Sequence, residues 1–191
     1  MKVLDLTYVR YPDSAIGFVC ACASLLPLFL IFSLAPVAIF ARKLSPLVFL
    51  FGIVTSTAIN ETLKRIVRQP RPEFSHRDGY GMPSDHSQFC LFWTCYLLKV
   101  FWHNPTIKRS FVCLLTGFNI VAASLVLFSR IYLGVHTVAQ VCVGAVIGAV
   151  LGLVWGHLSS RVLSSKTYSH VECNFGNLIN KLVFQQHTKS A

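Results

Sequence analysis

The feature that most constrains the fold is an uncharged apolar run of 27 residues, from Ala15 to Ala41. A helix needs roughly 20 predominantly apolar residues to cross the hydrocarbon core of a bilayer, so this run is long enough to span a membrane. Four further apolar runs follow at 44–60, 88–102, 110–129 and 135–158. The second and third of the five runs are short, which indicates helices that are tilted or end inside protein. The pattern predicts an all-α, polytopic membrane helix bundle with about five transmembrane helices.

Composition and length agree with one membrane domain. The chain has 191 residues, 54% of them hydrophobic and 13% charged, which excludes an ordinary soluble globular protein. The first apolar run exceeds the apolar core of a secretory signal peptide, so we expect it to be retained as an anchor. We expect a membrane-embedded domain over 1–160 and a polar tail over 161–191. Apolar tail residues at helical spacing indicate a helix lying on the membrane surface. They are Phe175, Leu178, Ile179, Leu182 and Val183.

The net charge of +10 does not indicate nucleic-acid binding, because the basic residues lie at the ends of apolar runs and the aromatic residues lie within them. That placement fits anionic lipid headgroups and a phosphate site. Most cysteines lie inside apolar runs, and no Cys/His spacing typical of zinc occurs. We expect no metal and no cofactor, and the sequence gives no indication of oligomeric state.

Five spans place the polar loops on alternating sides of the membrane. Basic, histidine and serine residues from three separate segments then fall on one side, with His136 just inside the helix that starts there. Those residues are Lys64, Arg71, Ser84, His86 and Arg130. When the cations close to this proposed site are discounted, the positive-inside rule puts the site on the lumenal or external face.

Three segments on that side carry the chemistry. In LKRIVRQPRP, we expect Arg71, between two prolines, to bind phosphate bidentately and Lys64 to act as a point charge. The alternative is that basic residues here snorkel to the membrane interface, which we prefer for Arg65 and Arg68. In GMPSDHSQF, Pro83 and Ser84 indicate a helix N-terminus that can hold phosphate.

The spacing of Asp85 and Gln88 in the second segment predicts a capping box, and His86 lies in the same first helical turn. The third segment places Arg130 six residues before His136 and Gln140 four residues after it. Gln140 can accept the imidazole N–H and leave the other ring nitrogen free to attack phosphorus. The alternative role for Gln140 is a hydrogen bond between membrane helices. A four-residue glycine ladder follows, which predicts close packing of this helix on another span. Its members are Gly144, Gly148, Gly152 and Gly156.

In this order, K-x6-RP, PS-x-H and SR-x5-H between membrane spans resemble the type 2 phosphatidic acid phosphatase superfamily. YGMPSDHSQF, SRIYLGVHTVAQ and the N-terminal LTYVRYP are similar to its dolichyldiphosphatase-like branch. The resemblance implies a metal-independent lipid phosphatase of the endoplasmic reticulum membrane that hydrolyses a polyprenyl diphosphate. It implies that His136 is the nucleophile, that His86 is the general acid and that the remaining motif residues bind phosphate. Those residues are Lys64, Arg71, Arg130 and Ser84, with the backbone around Asp85.

Two positions depart from the superfamily pattern, which usually has aspartate where Gln140 stands and glycine where Asp85 stands. Gln140 can weaken activation of the nucleophile, and Asp85 places a negative charge beside phosphate unless a cation pairs with it. One hypothesis pairs Asp85 with His86 or Arg77. Two alternatives stay open: a phosphatase for phosphatidate or another isoprenoid diphosphate, and a catalytically inactive membrane scaffold.

Overall fold

A computed structural model describes residues 2–4, 9–73, 75 and 77–184. Two short strands, β1 Lys2–Leu4 and β2 Val9–Tyr11, form an antiparallel hairpin before the helices. The helices are α1 Ala15–Ala23, α2 Leu26–Ala41, α3 Ser45–Val67, α4 Asp85–Trp102, α5 Arg109–Tyr132, α6 Val138–Leu163 and α7 Lys166–Ile179, followed by a π-helical segment, Asn180–Phe184. The predicted all-α bundle is confirmed, with the hairpin as an addition. Part of the LTYVRYP stretch lies outside the described residues.

The first apolar run is two helices rather than the single helix that was predicted. α1 ends at Ala23 and α2 begins at Leu26, with Pro27 in its first turn. Proline suits a helix start because its fixed φ is helical and its missing N–H needs no partner there. The Ser24 hydroxyl donates back to the Ala21 carbonyl at 2.7 Å. The break leaves the Ser24 carbonyl without a partner in its own helix, and the site uses this group.

In the described part of the chain, four segments are long and apolar enough to cross a membrane: 15–41, 45–67, 109–132 and 138–163. Two boundaries differ clearly from the sequence prediction. α3 continues to Val67, well past the apolar part, and α6 begins only at Val138. The remaining predicted span corresponds to α4, which carries polar residues such as Gln88 and Thr94 on its buried face.

α4 packs closely against the glycine ladder of α6. A Cβ atom on Gly144 would lie 2.5 Å from the Ser84 carbonyl oxygen, and one on Gly148 would lie 2.1 Å from that of Gln88. One on Gly152 would lie 2.5 Å from the Phe92 carbonyl oxygen. Residue numbers rise together in the two helices, so they run parallel. The predicted close packing is confirmed, and α4 lies alongside α6 from Gly144 to Gly152.

α3 runs antiparallel to α4 and completes this part of the core. Near one end the Phe49 and Tyr96 rings stack with centroids 4.0 Å apart, and near the other Asn60 Nδ2 donates to Gln88 Oε1 at 2.7 Å. The C-terminal end of α3 therefore lies beside the N-terminal ends of α4 and α6. This places the three sequence motifs on one side of the bundle, as the alternation of loops predicted.

The tail begins with a helix on the opposite side of the bundle. Glu172 Oε1 of α7 accepts hydrogen bonds from the Leu44 backbone N–H at 3.2 Å and from the Tyr168 hydroxyl at 2.8 Å. The helix falls where the apolar spacing predicted one. Its position on the membrane surface and the domain boundary after residue 160 stay predictions, since α6 itself extends to Leu163.

The substitution Gly148→Ala should destabilise the protein by about 1–3 kcal/mol, because its Cβ would overlap the Gln88 carbonyl and force α4 and α6 apart. The matched control is Gly117→Ala in α5, where a Cβ meets nothing within 4 Å. The control should be neutral or slightly stabilising. Thermal unfolding of both variants in detergent tests this. Equal melting temperatures would contradict close α4–α6 packing.

Candidate active site

Three helix ends and two connections converge on the site. α3 ends at Val67, and Arg68 adopts a left-handed conformation with φ of 52°. Pro70 then keeps Gln69 out of helical geometry. The loop that follows is held by a hydrogen bond from the Gly81 N–H to the Gln69 carbonyl at 2.8 Å. This loop brings Arg71 to the start of α6.

His136 lies just before α6, not inside it as the sequence predicted. Gly134, with φ of 67°, turns the chain after α5, and the Val135 and His136 N–H groups both donate to the Arg130 carbonyl at 3.2 Å. Thr137 is the N-cap of α6 and forms a capping box with Gln140. The nucleophile candidate is thus held in a short turn whose backbone is hydrogen-bonded to the Arg130 carbonyl.

Gln140 fixes the tautomer of His136. Its Nε2 donates to the Pro70 carbonyl at 2.8 Å and to Gln69 Oε1 at 3.1 Å, so its oxygen must face the other way. That oxygen lies 3.2 Å from His136 Nδ1 and also accepts from the Thr137 N–H at 3.2 Å. His136 Nδ1 therefore carries the proton, and the lone pair is on Nε2. The predicted contact of Gln140 with the imidazole is present.

Arg71 covers this lone pair. Its Nη1 lies 3.1 Å from His136 Nε2 and donates to the Val135 carbonyl at 3.2 Å. Burial first, and then the charge of Arg71, lower the pKa of His136 to about 3, while the hydrogen bond to Gln140 acts in the opposite direction. His136 is therefore neutral at physiological pH, which is the state a nucleophilic imidazole requires.

Arg130 is buried, with 1% of its surface exposed, and extends from the last turn of α5. Its Nε and Nη2 atoms are buried and have no hydrogen-bond acceptor among the described residues. The same holds for Arg71 Nε. Unpaired buried guanidinium donors are costly, and a bound anion with several oxygens would satisfy them.

His86 lies in the first turn of α4 and faces the break in the first span. Its Nε2 is 3.2 Å from the Ser24 carbonyl oxygen. Because a carbonyl only accepts, this nitrogen carries a proton. This hydrogen bond orients the ring and leaves Nδ1 as the nitrogen that can exchange a proton.

Lys64 and Asp85 form an ion pair, which corrects the hypothesis that Asp85 pairs with His86 or Arg77. Lys64 Nζ donates to Asp85 Oδ2 and to Glu61 Oε1, the latter at 2.9 Å. The Lys64 side chain is 8% exposed, against 41% for Asp85 and 51% for Glu61. The lysine predicted to bind phosphate is thus occupied by two carboxylates.

The capping box predicted for Asp85 and Gln88 is wrong. The N-cap of α4 is Ser84, which makes no side-chain cap, and its N–H donates to the Gln140 carbonyl at 3.1 Å. Gln88 turns inward, and its Nε2 donates to the Ser56 carbonyl at 2.7 Å. The buried Ser84 hydroxyl accepts from Ser87 Oγ at 3.1 Å. A capping box does exist, at Thr137 and Gln140.

Sequence reasoning missed three contributors to the site. Ser24 was hidden in an apolar run, although Pro27 three residues later indicated a break. Glu61 stands three residues before Lys64, a spacing that joins side chains on one helix face. Gln69, which holds Gln140, had no sequence signal beyond its place before Pro70.

Comparisons with known proteins show the family to which this chain belongs. The family model described as PAP2 superfamily matches residues 45–163. Lipid phosphate phosphatase gamma of Arabidopsis thaliana is 35% identical over 85% of this chain and 76% of its own length. Dolichyldiphosphatase 1 of Homo sapiens is 33% identical over 85% of this chain and 74% of its own length. Dolichyldiphosphatase of Saccharomyces cerevisiae is 34% identical over 79% of this chain and 67% of its own length.

A crystal structure of a transmembrane PAP2-type phosphatidylglycerolphosphate phosphatase from Bacillus subtilis has the same fold. Its TM-score is 0.68 at 24% identity, with 81% of each chain covered. Fold and relatives together define a membrane-embedded lipid phosphatase. The chain belongs to the PAP2 superfamily, and it is a hydrolase similar to the dolichyldiphosphatases.

The substitution Gln140→Glu should lower kcat/KM by about tenfold or more, although a carboxylate is intrinsically the stronger partner for imidazole. The new oxygens would face the Pro70 carbonyl and Gln69 Oε1, where the amide now donates. Steady-state kinetics and melting temperature check this, with Gln140→Met as a control of similar size. Activity of Gln140→Glu at or above that of the wild type would show that the amide contacts are dispensable.

Proposed function

We propose that this chain removes the terminal phosphate from a polyprenyl diphosphate, such as dolichyl diphosphate, through a phosphohistidine on His136. One observation carries the proposal. The only guanidinium atoms found buried and without acceptors in the described part of the chain are Arg71 Nε and Arg130 Nε and Nη2. Arg71 also contacts the lone-pair nitrogen of His136. A tetrahedral phosphoryl group fits both needs, because it supplies several oxygens to the arginines and an electrophile to the histidine.

In the first step, the terminal phosphoryl group displaces Arg71 Nη1 from the His136 lone pair and takes its hydrogen bonds. His136 Nε2 attacks phosphorus, and the bond to the bridging oxygen breaks. Gln140 Oε1 holds the Nδ1 proton of the ring throughout, which keeps the attacking nitrogen unprotonated. The arginines neutralise charge on the non-bridging oxygens in the transition state.

His86 supplies the proton to the leaving oxygen, which yields polyprenyl monophosphate. Its hydrogen bond to the Ser24 carbonyl orients the ring, so that Nδ1 is the nitrogen that gives up the proton. In the second step, water gives a proton to His86 and attacks the phosphohistidine. Inorganic phosphate leaves, and both histidines return to their starting state. Ser84 and the first-turn N–H groups of α4 add hydrogen bonds to the phosphoryl oxygens.

The assignment of a diphosphate substrate rests on similarity to the dolichyldiphosphatases. The similarity to lipid phosphate phosphatase gamma favours a second candidate, a phosphatase for phosphate monoesters of lipids. The chemistry at His136 is the same for both candidates. The two differ in whether the leaving group is a phosphate or an alcohol oxygen.

Purified protein in detergent should release phosphate from dolichyl diphosphate faster than from phosphatidate, and His136→Ala should abolish release from both. His86→Ala should slow phosphate release from both lipids by a factor of about 100 or more, because their leaving groups must be protonated. It should affect p-nitrophenyl phosphate much less, since that leaving group departs without a proton. Rapid acid-free quenching of the wild type should trap a phosphorylated protein.

Faster turnover of phosphatidate would assign the second candidate. Phosphate release that survives His136→Ala would exclude the histidine mechanism. No release from either lipid by folded wild-type protein would leave a membrane scaffold as the function.

We also propose that the site faces the lumen of the endoplasmic reticulum. A glycosylation acceptor loop inserted at the exposed Asp78, on the site side, should then receive a glycan in microsomes. The same loop inserted at the exposed Thr106, between α4 and α5, should remain unmodified. Modification at Thr106 alone would place the site in the cytosol.

A further inference from the structure

The ion pair of Lys64 with Asp85 joins two site residues before any ligand is present. Lys64 has three N–H donors, and carboxylates take two of them, Asp85 Oδ2 and Glu61 Oε1. The lysine side chain is almost fully buried, whereas the Asp85 side chain is 41% exposed, so water screens this contact in part. A phosphate group can use Lys64 fully only if it displaces a carboxylate.

Asp85 also acts on the neighbouring arginine. Burial first, and then the charge of Arg77, lower the pKa of Arg71, while the charges of Asp85 and Glu61 act in the opposite direction. Asp85 therefore lies within electrostatic reach of the phosphate site. Its second oxygen, Oδ1, is buried and accepts no hydrogen bond from the described residues. The carboxylate is thus only partly satisfied by the resting site.

The carboxylate of Asp85 favours ligands that carry enough negative charge to displace it from Lys64. A polyprenyl diphosphate carries more negative charge than either of its products, and its two phosphoryl groups can engage the arginines and the lysine together. Inorganic phosphate or a monophosphate has a single phosphoryl group, and Asp85 withholds the charge of Lys64 from it.

We propose that Asp85 is a specificity-determining residue, a built-in anion that occupies Lys64 until a diphosphate displaces it and that weakens the binding of phosphate and phosphate monoesters. This inference rests on the proposed function and refines it to diphosphates over monophosphates. It also gives Asp85 a part in turnover, because the carboxylate retakes Lys64 as inorganic phosphate leaves.

The test is a double-mutant cycle of Asp85→Asn and Lys64→Met. The inhibition constant of inorganic phosphate against a polyprenyl diphosphate should fall by about tenfold in Asp85→Asn. The ratio of kcat/KM for polyprenyl diphosphate to that for polyprenyl monophosphate should fall as well. In the Lys64→Met background, Asp85→Asn should change the inhibition constant by less than about twofold, since the cation it competes for is gone.

Asp13→Asn is the charge-matched control, because Asp13 is 69% exposed and pairs with Lys2 in the N-terminal hairpin region. Asp13→Asn should leave the phosphate inhibition constant and the ratio of kcat/KM values unchanged. An unchanged phosphate inhibition constant in Asp85→Asn would overturn the proposal. An equal effect of Asp85→Asn on the inhibition constant in the wild-type and Lys64→Met backgrounds would also overturn it, because Asp85 would then act on the arginines alone.

Stabilisation by inorganic phosphate separates this inference from the proposed function. In a His136→Ala background, phosphate should raise the melting temperature more for Asp85→Asn than for the parent, without any need for turnover. If that difference appears while wild-type protein hydrolyses no polyprenyl diphosphate, the proposed function fails and the role of Asp85 as a competing anion stands. If the difference is absent, the role of Asp85 fails whatever the enzyme hydrolyses.

Discussion

Backbone contact between α4 and α6 is the constraint on which the site depends. Main-chain atoms of Ser84 and Gln88 fill the space that a side chain on Gly144 or Gly148 would need. The height of α4 along the axis of α6 is therefore fixed. That height sets Ser84 beside the Gln140 carbonyl and His86 near the link that carries His136. In lipid the hydrophobic effect does not drive helices together, so shape and hydrogen bonds must fix such a register. Glycines supply the shape here, and buried amides supply the hydrogen bonds.

The polar groups of the site form a layer at one end of the bundle. Gln140 connects the loop after α3 with the start of α6, and Gln88 connects α4 with α3. Each amide uses both its donor and its acceptor, so neither can rotate without losing a bond in an apolar setting. This explains why an amide serves beside His136. A carboxylate there has no N–H to offer the Pro70 carbonyl.

Much of the fold and part of the site follow from the sequence. Long apolar runs fix the helices, and loop alternation places Arg71, His86 and Arg130 on one side. The glycine ladder indicates a close helix contact but not which helix makes it. The break at Ser24 and the pairing of Asp85 with Lys64 depend on tertiary contacts between distant segments. Sequence spacing alone does not contain that information, and local spacing wrongly favoured a cap at Asp85.

The capping box at Thr137 has a consequence for how the enzyme loses activity. Gln140 closes the first turn of α6 and holds the His136 Nδ1 proton with the same oxygen. Fraying of that single turn would therefore release the ring to either tautomer while the rest of the bundle stays packed. If His136 is the nucleophile, as we propose, opening of this one turn would abolish activity while the helical content stays nearly unchanged.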